Sequence, residues 1–175
     1  ELIKVANAIK GSFTDNYSSE DVYSDDGLEE TINDYSTTDG TLEFNALSHD
    51  EQAAMLGHLS EAGYLVKSSE DEAPECAVGF AAKRANGTVD LTWYYCGKFI
   101  DSEGQSYETK ADKTTTQTKS IKFKAYARKK ADTVNGKSKH FVSINVNEEE
   151  LVAADTNAKA ALGAWFSAVQ EPKGV

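Results

Sequence analysis

The 175-residue sequence predicts a mainly β domain of the α+β class, with antiparallel sheets and two helices. Two runs rich in Val, Phe, Thr, Trp and Tyr, between Glu75 and Phe99, surround Asn86-Gly87. Asn-Gly readily adopts the positive φ angles of a tight hairpin turn. Asp39-Gly40 gives a second signal of the same kind, and apolar residues recur at helical spacing after Ser48 and after Asp155.

The central hairpin carries its large apolar residues on one face if Asn86 and Gly87 form a two-residue turn. That register predicts the pairs Ala82/Leu91, Phe80/Trp93, Val78/Tyr95 and Cys76/Gly97. A slip of one residue would expose the apolar set, at roughly 1.5 to 3 kcal/mol for each large side chain. Cys76 and Cys96 then point to opposite faces, which predicts two buried or half-buried free thiols instead of a disulfide.

The first 47 residues are predicted to hold one hairpin and little other regular structure. Residues 1–8 form either a short strand or a docking arm, and residues 12–23 are polar, followed by a turn at Asp25-Asp26-Gly27. With Asp39-Gly40 as a turn, two strands pair Tyr35/Phe44 and Thr37/Leu42 on a buried face. The opposite face is polar, with the pairs Ser36/Glu43 and Asp34/Asn45.

Two helices are predicted from capping signals and apolar spacing. Ser48-His49-Asp50-Glu51 has the form of a capping box, and Gly63 is placed to end that helix. Asp155 or Thr156 caps the last helix, and Pro172 stops it. Its apolar stripe, predicted to pack on a sheet, contains Ala158, Ala161, Leu162, Trp165, Phe166 and Val169.

A basic strand is predicted before residue 129. Ile121, Phe123, Ala125 and Ala127 alternate there with Lys122, Lys124, Tyr126 and Arg128. Residues 129–139 form a Gly- and Lys-containing excursion to which the sequence assigns no role. Residues 140–146 are predicted to form another strand, with Val142, Ile144 and Val146 on one side.

The net charge of −11 is divided unevenly along the chain. Residues 1–75 contain 18 acidic and 3 basic residues, whereas residues 76–175 contain 11 acidic and 15 basic ones. This pattern indicates either a solvated acidic half or a self-complementary chain, in which the acidic half of one copy meets the basic half of the next. The overall sign disfavours simple attraction to nucleic acid.

The sequence lacks the common catalytic patterns, namely a phosphate-binding glycine loop, a serine nucleophile elbow, a Cys-x-x-Cys pair and a His-Glu-x-x-His helix. His49 and His58 would lie more than ~13 Å apart along a helix, too far to share a metal ion. We therefore expect neither an enzyme nor a metal or cofactor site. No run approaches the ~18 apolar residues of a membrane helix, and no signal-peptide pattern is present, so we expect a soluble protein made in the cytoplasm without a membrane partner.

The order of several motifs resembles the major tail tube protein family of long, non-contractile-tailed phages (siphophages) of Gram-positive bacteria. The motifs follow one another over nearly the whole chain, although each alone is common. They are Tyr23 to Glu30, Gly40-Thr-Leu-Glu-Phe, the capped helix with Leu56-Gly57, Ala73 to Phe80, Asn86-Gly87, Trp93-Tyr94-Tyr95, Lys98-Phe99, Tyr107 to Lys110, Gln117-Thr118, Ala164-Trp165-Phe166 and Val169 to Pro172.

The resemblance implies a barrel-like β-sandwich of two packed antiparallel sheets, formed by a single tail tube domain over residues 1–175. Residues 1–11 and 170–175 are candidate inter-subunit arms. Six copies would form a ring, and rings would stack into the tail tube of the virion. The implied partners are other copies, a tape-measure protein, tail terminator or distal tail proteins, and genomic DNA, which passes through without specific binding.

Two groups of residues are predicted to act in this assembly. The first would form an acidic inner wall that repels phosphates, and the second would contact a neighbouring copy. The wall candidates are Glu29, Glu30, Asp34 and Glu43, and the inter-subunit candidates are Lys119, Lys122, Lys124 and Arg128. The alternative function is a carbohydrate-binding or adhesin-type β-sandwich that uses exposed aromatic residues such as Tyr94 and Tyr126.

Overall fold

A computed structural model describes residues 2–5, 8–24, 27–101 and 118–173. The turn predicted at Asp25-Asp26 and the motif at residues 107–110 lie outside these ranges. The chain divides into two compact units. The first unit contains Glu1–Leu2, Glu75–Gly97 and Ala125–Val175, and the second contains Ile3–Pro74 and Lys98–Lys124. In the described ranges, every helix is too short or too polar to span a membrane.

The described residues form ten strands and two α-helices, which confirms a mainly β protein with two helices. Antiparallel strand pairs occur in both units. The strands are β1 (Ala8–Ser24), β2 (Gly27–Phe44), β3 (Leu59–Glu61), β4 (Tyr64–Val66), β5 (Cys76–Lys83), β6 (Val89–Asp101), β7 (Lys119–Ala125), β8 (Asp132–Val134), β9 (Lys137–Lys139) and β10 (Ser143–Asn147). The helices are α1 (His49–Leu56) and α2 (Thr156–Ala164), and a 3-10 turn covers Glu148–Glu150.

In the second unit, β1 and β2 pair along their whole length, and β7 follows β2 in the strand order. We call the pair β1–β2 the acidic ribbon, because residues 8–44 contain ten acidic residues and one lysine. The predicted hairpin turn at Asp39-Gly40 is wrong, since Asp39 pairs with Thr14 and Gly40 with Phe13. A Cβ at Gly40 would lie 2.7 Å from the Phe13 ring, so this glycine permits a close approach instead of a turn.

A β-bulge at Ser36 determines which side chains of β2 are buried. Thr37 is paired with Asn16 and Tyr35 with Tyr17, which leaves Ser36 as an extra residue. After the bulge, β2 buries Thr38, Gly40, Leu42 and Phe44. The pairs Tyr35/Phe44 and Thr37/Leu42 predicted from the sequence are therefore wrong.

The start of α1 is confirmed, but its predicted end is wrong. Ser48 and Glu51 form the capping box, with the Glu51 carboxylate accepting a hydrogen bond from the Ser48 N–H at 2.8 Å. The helix ends before Gly57, which has a φ of 76°. A Cβ there would lie 2.1 Å from the Glu72 carbonyl oxygen, so only glycine fits. Gly63 instead lies in the turn between β3 and β4.

In the first unit, β6 lies between β5 and β10. The central hairpin is confirmed, but its predicted register is wrong by one residue over most of its length. The loop contains three residues, because the Arg84 carbonyl accepts a hydrogen bond from the Gly87 N–H at 3.0 Å and Arg84 donates its own N–H to Thr88. Trp93 consequently lies opposite Gly79, where a Cβ would come within 2.5 Å of its ring.

Both cysteines are free, as predicted. Cys96 is buried and Cys76 is half-buried opposite Gly97. Burial, with smaller contributions from Cys96 and Glu75, raises the pKa of Cys76 to about 11. Burial also raises the pKa of Cys96.

The core of the first unit forms where α2 ends. Trp165, which is 1% exposed, packs in a cluster with Leu91, Trp93 and Val146. The Trp93 indole N–H donates a hydrogen bond to the Trp165 carbonyl at 3.2 Å. The predicted stripe holds as far as Trp165, but α2 ends at Ala164, and beyond it Phe166 and Val169 are 51% and 40% exposed.

Residues 129–139 contain a short hairpin that the sequence interpretation missed. Strands β8 and β9 pair around Asn135-Gly136, where the φ angles are positive, 51° at Asn135 and 74° at Gly136. The signal was the same Asn-Gly dipeptide that indicated the central hairpin. Its flanking runs are short and rich in lysine, so the apolar alternation of a buried strand is missing.

Candidate assembly surface

The second unit brings one acidic residue of β2 and two lysines of β7 to one pocket of about 300 Å³. Its lining includes Asp39, Thr41, Lys122 and Lys124. The Lys124 Nζ atom lies 4.0 Å from Asp39 Oδ1, and the Asn16 side-chain amide donates a hydrogen bond to Asp39 Oδ2 at 2.7 Å. Since β2 continues regularly after the bulge, Glu43 lies on the same face as Asp39 and Thr41.

The amphipathic pattern of β7 is confirmed. Ile121, Phe123 and Ala125 are buried, whereas Lys122 and Lys124 between them are exposed. Lys119 lies on the inner side with Ile121, is half-buried, and donates a hydrogen bond to the Gln52 side chain. Burial is the main cause that lowers the pKa of Lys119. The exposed basic face of β7 therefore consists of Lys122 and Lys124.

Arg128 does not belong to this face, because β7 ends at Ala125. Its side chain is only 10% exposed and makes two-pronged ion pairs with Asp132 and Glu171. Its guanidinium also lies 4.2 Å from the centre of the Tyr95 ring. The prediction that Arg128 lies on an exposed basic strand is wrong, since it is a partly buried residue that holds its own unit together.

The acidic candidates do not form the single hairpin face that the sequence predicted. Asp34 is exposed and lies before the bulge, whereas Glu43 is half-buried and lies after it. Strand β2 contains Glu29 and Glu30, but their side chains lie outside the described part of the chain. The structure thus places Asp39, not Asp34, beside Lys122 and Lys124, and Glu43 lies on the same face of β2 as Asp39.

Among the described strands, β1 is terminal in the sheet order, and it is 17 residues long. The sequence interpretation missed it, because its residues are largely polar and lack a continuous alternation. A terminal strand presents backbone N–H and C=O groups along its outer edge, which pair readily with a strand of another chain. The edge of β1 is therefore the longest surface in the described residues that is suited to strand addition.

The two segments predicted to be inter-subunit arms, residues 1–11 and 170–175, are in part bound within their own copy. Residues 2–5 have no regular structure, but β1 begins at Ala8, inside the proposed N-terminal arm. At the other end, the Gln170 carbonyl accepts a hydrogen bond from Tyr95 Oη at 3.0 Å. Arg128 also holds Glu171, so the described part of the C-terminal segment is bound within its own unit.

A histidine–aspartate pair in the second unit has the arrangement of a general base, yet it is not accessible. The His58 Nδ1 atom lies 2.7 Å from Asp71 Oδ2, and the same carboxylate oxygen accepts a hydrogen bond from the Ser68 N–H. The Ser68 N–H and His58 together lower the pKa of Asp71. Because His58 Nε2 is buried and has no hydrogen-bond partner among the described residues, we interpret the pair as a link within the unit.

The aromatic residues of the alternative function do not form an exposed platform. Tyr94 is half-buried and stacks on Phe80, with the ring centres 6.4 Å apart. Tyr126 is also half-buried, and its hydroxyl donates a hydrogen bond to Glu75 at 2.7 Å. Among the described residues, no group of three or more His, Cys, Asp or Glu side chains is arranged to hold a metal ion.

No family model matches the chain, and no curated protein matches it.

Proposed function

We propose that this protein is a structural subunit of a phage tail tube, which assembles into stacked hexameric rings and has no enzymatic role. The observation that carries the proposal is the long terminal strand β1, paired with β2 in the acidic ribbon. In a ring, the outer edge of β1 would pair with a sheet edge of the next copy. Six sheets joined in this way would close into one barrel, and closure removes the exposed edges.

The charge of the acidic ribbon supports the same function. A channel lined with carboxylates repels the phosphates of passing DNA and keeps it from binding to the wall. Glu43 remains our candidate for this wall, and Lys122 and Lys124 remain candidates for a contact with the neighbouring copy. Because all three lie on one face of the second unit, we place the contact at the margin of the wall.

The subunit would fold as a barrel-like β-sandwich and reside in the virion tail. Its partners would be other copies, a tape-measure protein, tail terminator or distal tail proteins, and DNA in transit. The buried apolar residues of β2 and β7, with polar residues on their other face, suit a sheet that has one side towards a core and one towards water.

Proline substitutions at two neighbouring positions of β1 test the strand-addition step. Ser19 and Glu20 are both exposed, and successive N–H groups of an edge strand point alternately towards β2 and away from it. We expect one of Ser19→Pro and Glu20→Pro to destabilise the ribbon, and the other to leave the fold intact while it abolishes tube formation. Negative-stain microscopy measures tubes, and circular dichroism with thermal melting measures the fold.

The wild-type protein is the first control in that experiment. If it forms no rings or tubes at any concentration, the proposed function is wrong. If both proline variants form normal tubes while one of them retains the wild-type melting temperature, strand addition through β1 is wrong.

Charge reversal on β7 tests the second contact. We expect Lys122→Glu/Lys124→Glu to abolish tube growth, because the new carboxylates would repel the acidic surface that the lysines meet. Circular dichroism should stay unchanged, since both side chains are exposed. Lys83→Glu/Lys159→Glu changes the net charge equally at two exposed positions of the first unit and should still form tubes. Normal tubes from the β7 variant would disprove the contact.

A further inference from the structure

The hairpin β8–β9 and its flanks form a basic surface on an acidic protein. Residues 129–140 contain four exposed lysines and a single acidic residue, Asp132, in a chain of net charge −11. The Asp132 carboxylate is engaged by Arg128 and lies 3.6 Å from the Lys130 ammonium group. We call this surface the lysine hairpin, with Lys129, Lys130, Lys137 and Lys139 as its basic residues.

Hydrogen bonds and ion pairs within the first unit fix the base of the lysine hairpin. Arg128 donates its backbone N–H to the Phe141 carbonyl at 3.0 Å, and its guanidinium binds both Asp132 and Glu171. His140 Nδ1 lies 3.1 Å from the Arg128 carbonyl oxygen. A surface that is fixed in this way loses little conformational entropy when it binds a partner.

Two lysines of the hairpin project side by side. Lys137 and Lys139 are separated by one residue on β9, so they lie on one face about 7 Å apart. Lys130 contacts Asp132 and Glu171, whereas the ion pairs within the described residues include none of Lys129, Lys137 and Lys139. Lys137 and Lys139 can thus form ion pairs with two carboxylates that lie about 7 Å apart.

The acidic ribbon provides such a pair. Asp34 lies opposite Ser18, and Glu20 lies two residues beyond Ser18 on the same face of β1. Diagonal neighbours of this kind in an antiparallel pair are about 7 Å apart. Both side chains are exposed, and the register between Ser18 and Glu20 is regular.

We infer that the lysine hairpin of one copy binds the acidic ribbon of a second copy, with Lys137 and Lys139 facing Glu20 and Asp34. This inference rests on the proposed function, and it gives residues 129–139 a role as a contact between copies. It also assigns Asp34 to this contact instead of the channel wall. Nucleic acid is the less suitable partner, because the long-range repulsion of a chain with net charge −11 opposes its approach.

Paired charge reversals test this contact. We expect Lys137→Glu/Lys139→Glu to lower the association constant between copies by about tenfold or more, because each attraction becomes a repulsion. The variant that also carries Glu20→Lys/Asp34→Lys should recover most of the lost association. Sedimentation velocity measures the association, and microscopy measures tubes. The association should depend less on salt concentration in the first variant than in the wild type, and this dependence should return in the second variant.

The controls separate failure of the contact from failure of the proposed function. Lys83→Glu/Lys159→Glu, with the same change of net charge, should associate as the wild type does. If the wild type associates but Glu20→Lys/Asp34→Lys does not restore association of the Lys137→Glu/Lys139→Glu variant, the inference alone is overturned. If the wild type stays monomeric, the proposed function is overturned as well. Binding of a duplex DNA fragment by the wild type, lost in Lys137→Glu/Lys139→Glu, would assign the hairpin to nucleic acid and also overturn the inference.

Discussion

Replacement of Trp165 by alanine is expected to lower the free energy of unfolding by about 3 to 5 kcal/mol. Trp165 is 1% exposed and packs between α2 and the sheet residues Leu91, Trp93 and Val146. Its removal leaves a cavity that the strands of the first unit cannot close without moving. The loss should be visible as a shift of the urea unfolding midpoint, measured by fluorescence of the remaining tryptophan and by circular dichroism.

The neighbouring residue provides a matched control. Phe166 is the next aromatic residue along the chain and is 51% exposed, so Phe166→Ala should change stability by less than about 0.5 kcal/mol. Trp165→Phe should cost less than Trp165→Ala, because it keeps most of the packing and removes a buried indole N–H that has no hydrogen-bond partner in the described part of the chain. Similar losses for Trp165→Ala and Phe166→Ala would contradict the core described for the first unit.

Replacement of Arg128 by alanine is expected to cost about 2 to 4 kcal/mol at neutral pH. The change removes the guanidinium from the Tyr95 ring and leaves the carboxylates of Asp132 and Glu171 with only the exposed Lys130 ammonium group near them. Arg128→Lys should recover only part of the loss, since an ammonium group cannot make two-pronged contacts with both carboxylates. Lys130→Ala, at a side chain that is 61% exposed, is the control and should have little effect.

The effect of Arg128 should depend on pH in a defined direction. In the folded protein, the hydrogen bonds from the Arg128 guanidinium are the main cause that lowers the pKa of Glu171. At Asp132, burial acts to raise the pKa, but Arg128 and Lys130 together outweigh it and lower the pKa. Carboxyl groups with lowered pKa values stabilise the fold above their unfolded pKa of about 4, and that contribution is lost as the pH falls through the lower folded values. The stability difference between wild type and Arg128→Ala should therefore shrink below about pH 4. A difference that stays constant from neutral pH to strongly acidic pH would contradict these ion pairs.

The turn residues in the sequence predicted a hairpin correctly only where the two flanking strands pair with each other and not with a distant strand. Asn86-Gly87 marked a real hairpin, yet the loop includes Ala85, because a three-residue loop lets Trp93 lie over Gly79. The Asn-Gly dipeptide alone does not distinguish a two-residue loop from a three-residue loop. Asp39-Gly40 looked like an equally good turn, but the long polar strand β1 pairs with β2 across it. Pairing with a distant segment thus overrode a local preference.

Signals that depend on neighbouring residues alone were more reliable. The capping box at Ser48 and the alternation of β7 were both confirmed, because each follows from contacts within a few residues or from burial of one strand face. The end of α1 was wrong, since the selection of Gly57 over Gly63 depends on the distant backbone of Glu72. Arg128 was misplaced for a similar reason, because its partner Glu171 is 43 residues further along the chain.

The low reactivity expected of the two native thiols allows site-specific labelling of the assembly. With a pKa of about 11, Cys76 is ionised in only about one molecule in ten thousand at neutral pH, and Cys96 is buried and shifted in the same direction. A cysteine introduced at an exposed site has a pKa near 8.5 and reacts far faster with maleimides. Donor and acceptor dyes at positions 19 and 138 of separate copies, beside the proposed contact residues, can therefore report their approach by energy transfer, with both native cysteines left in place.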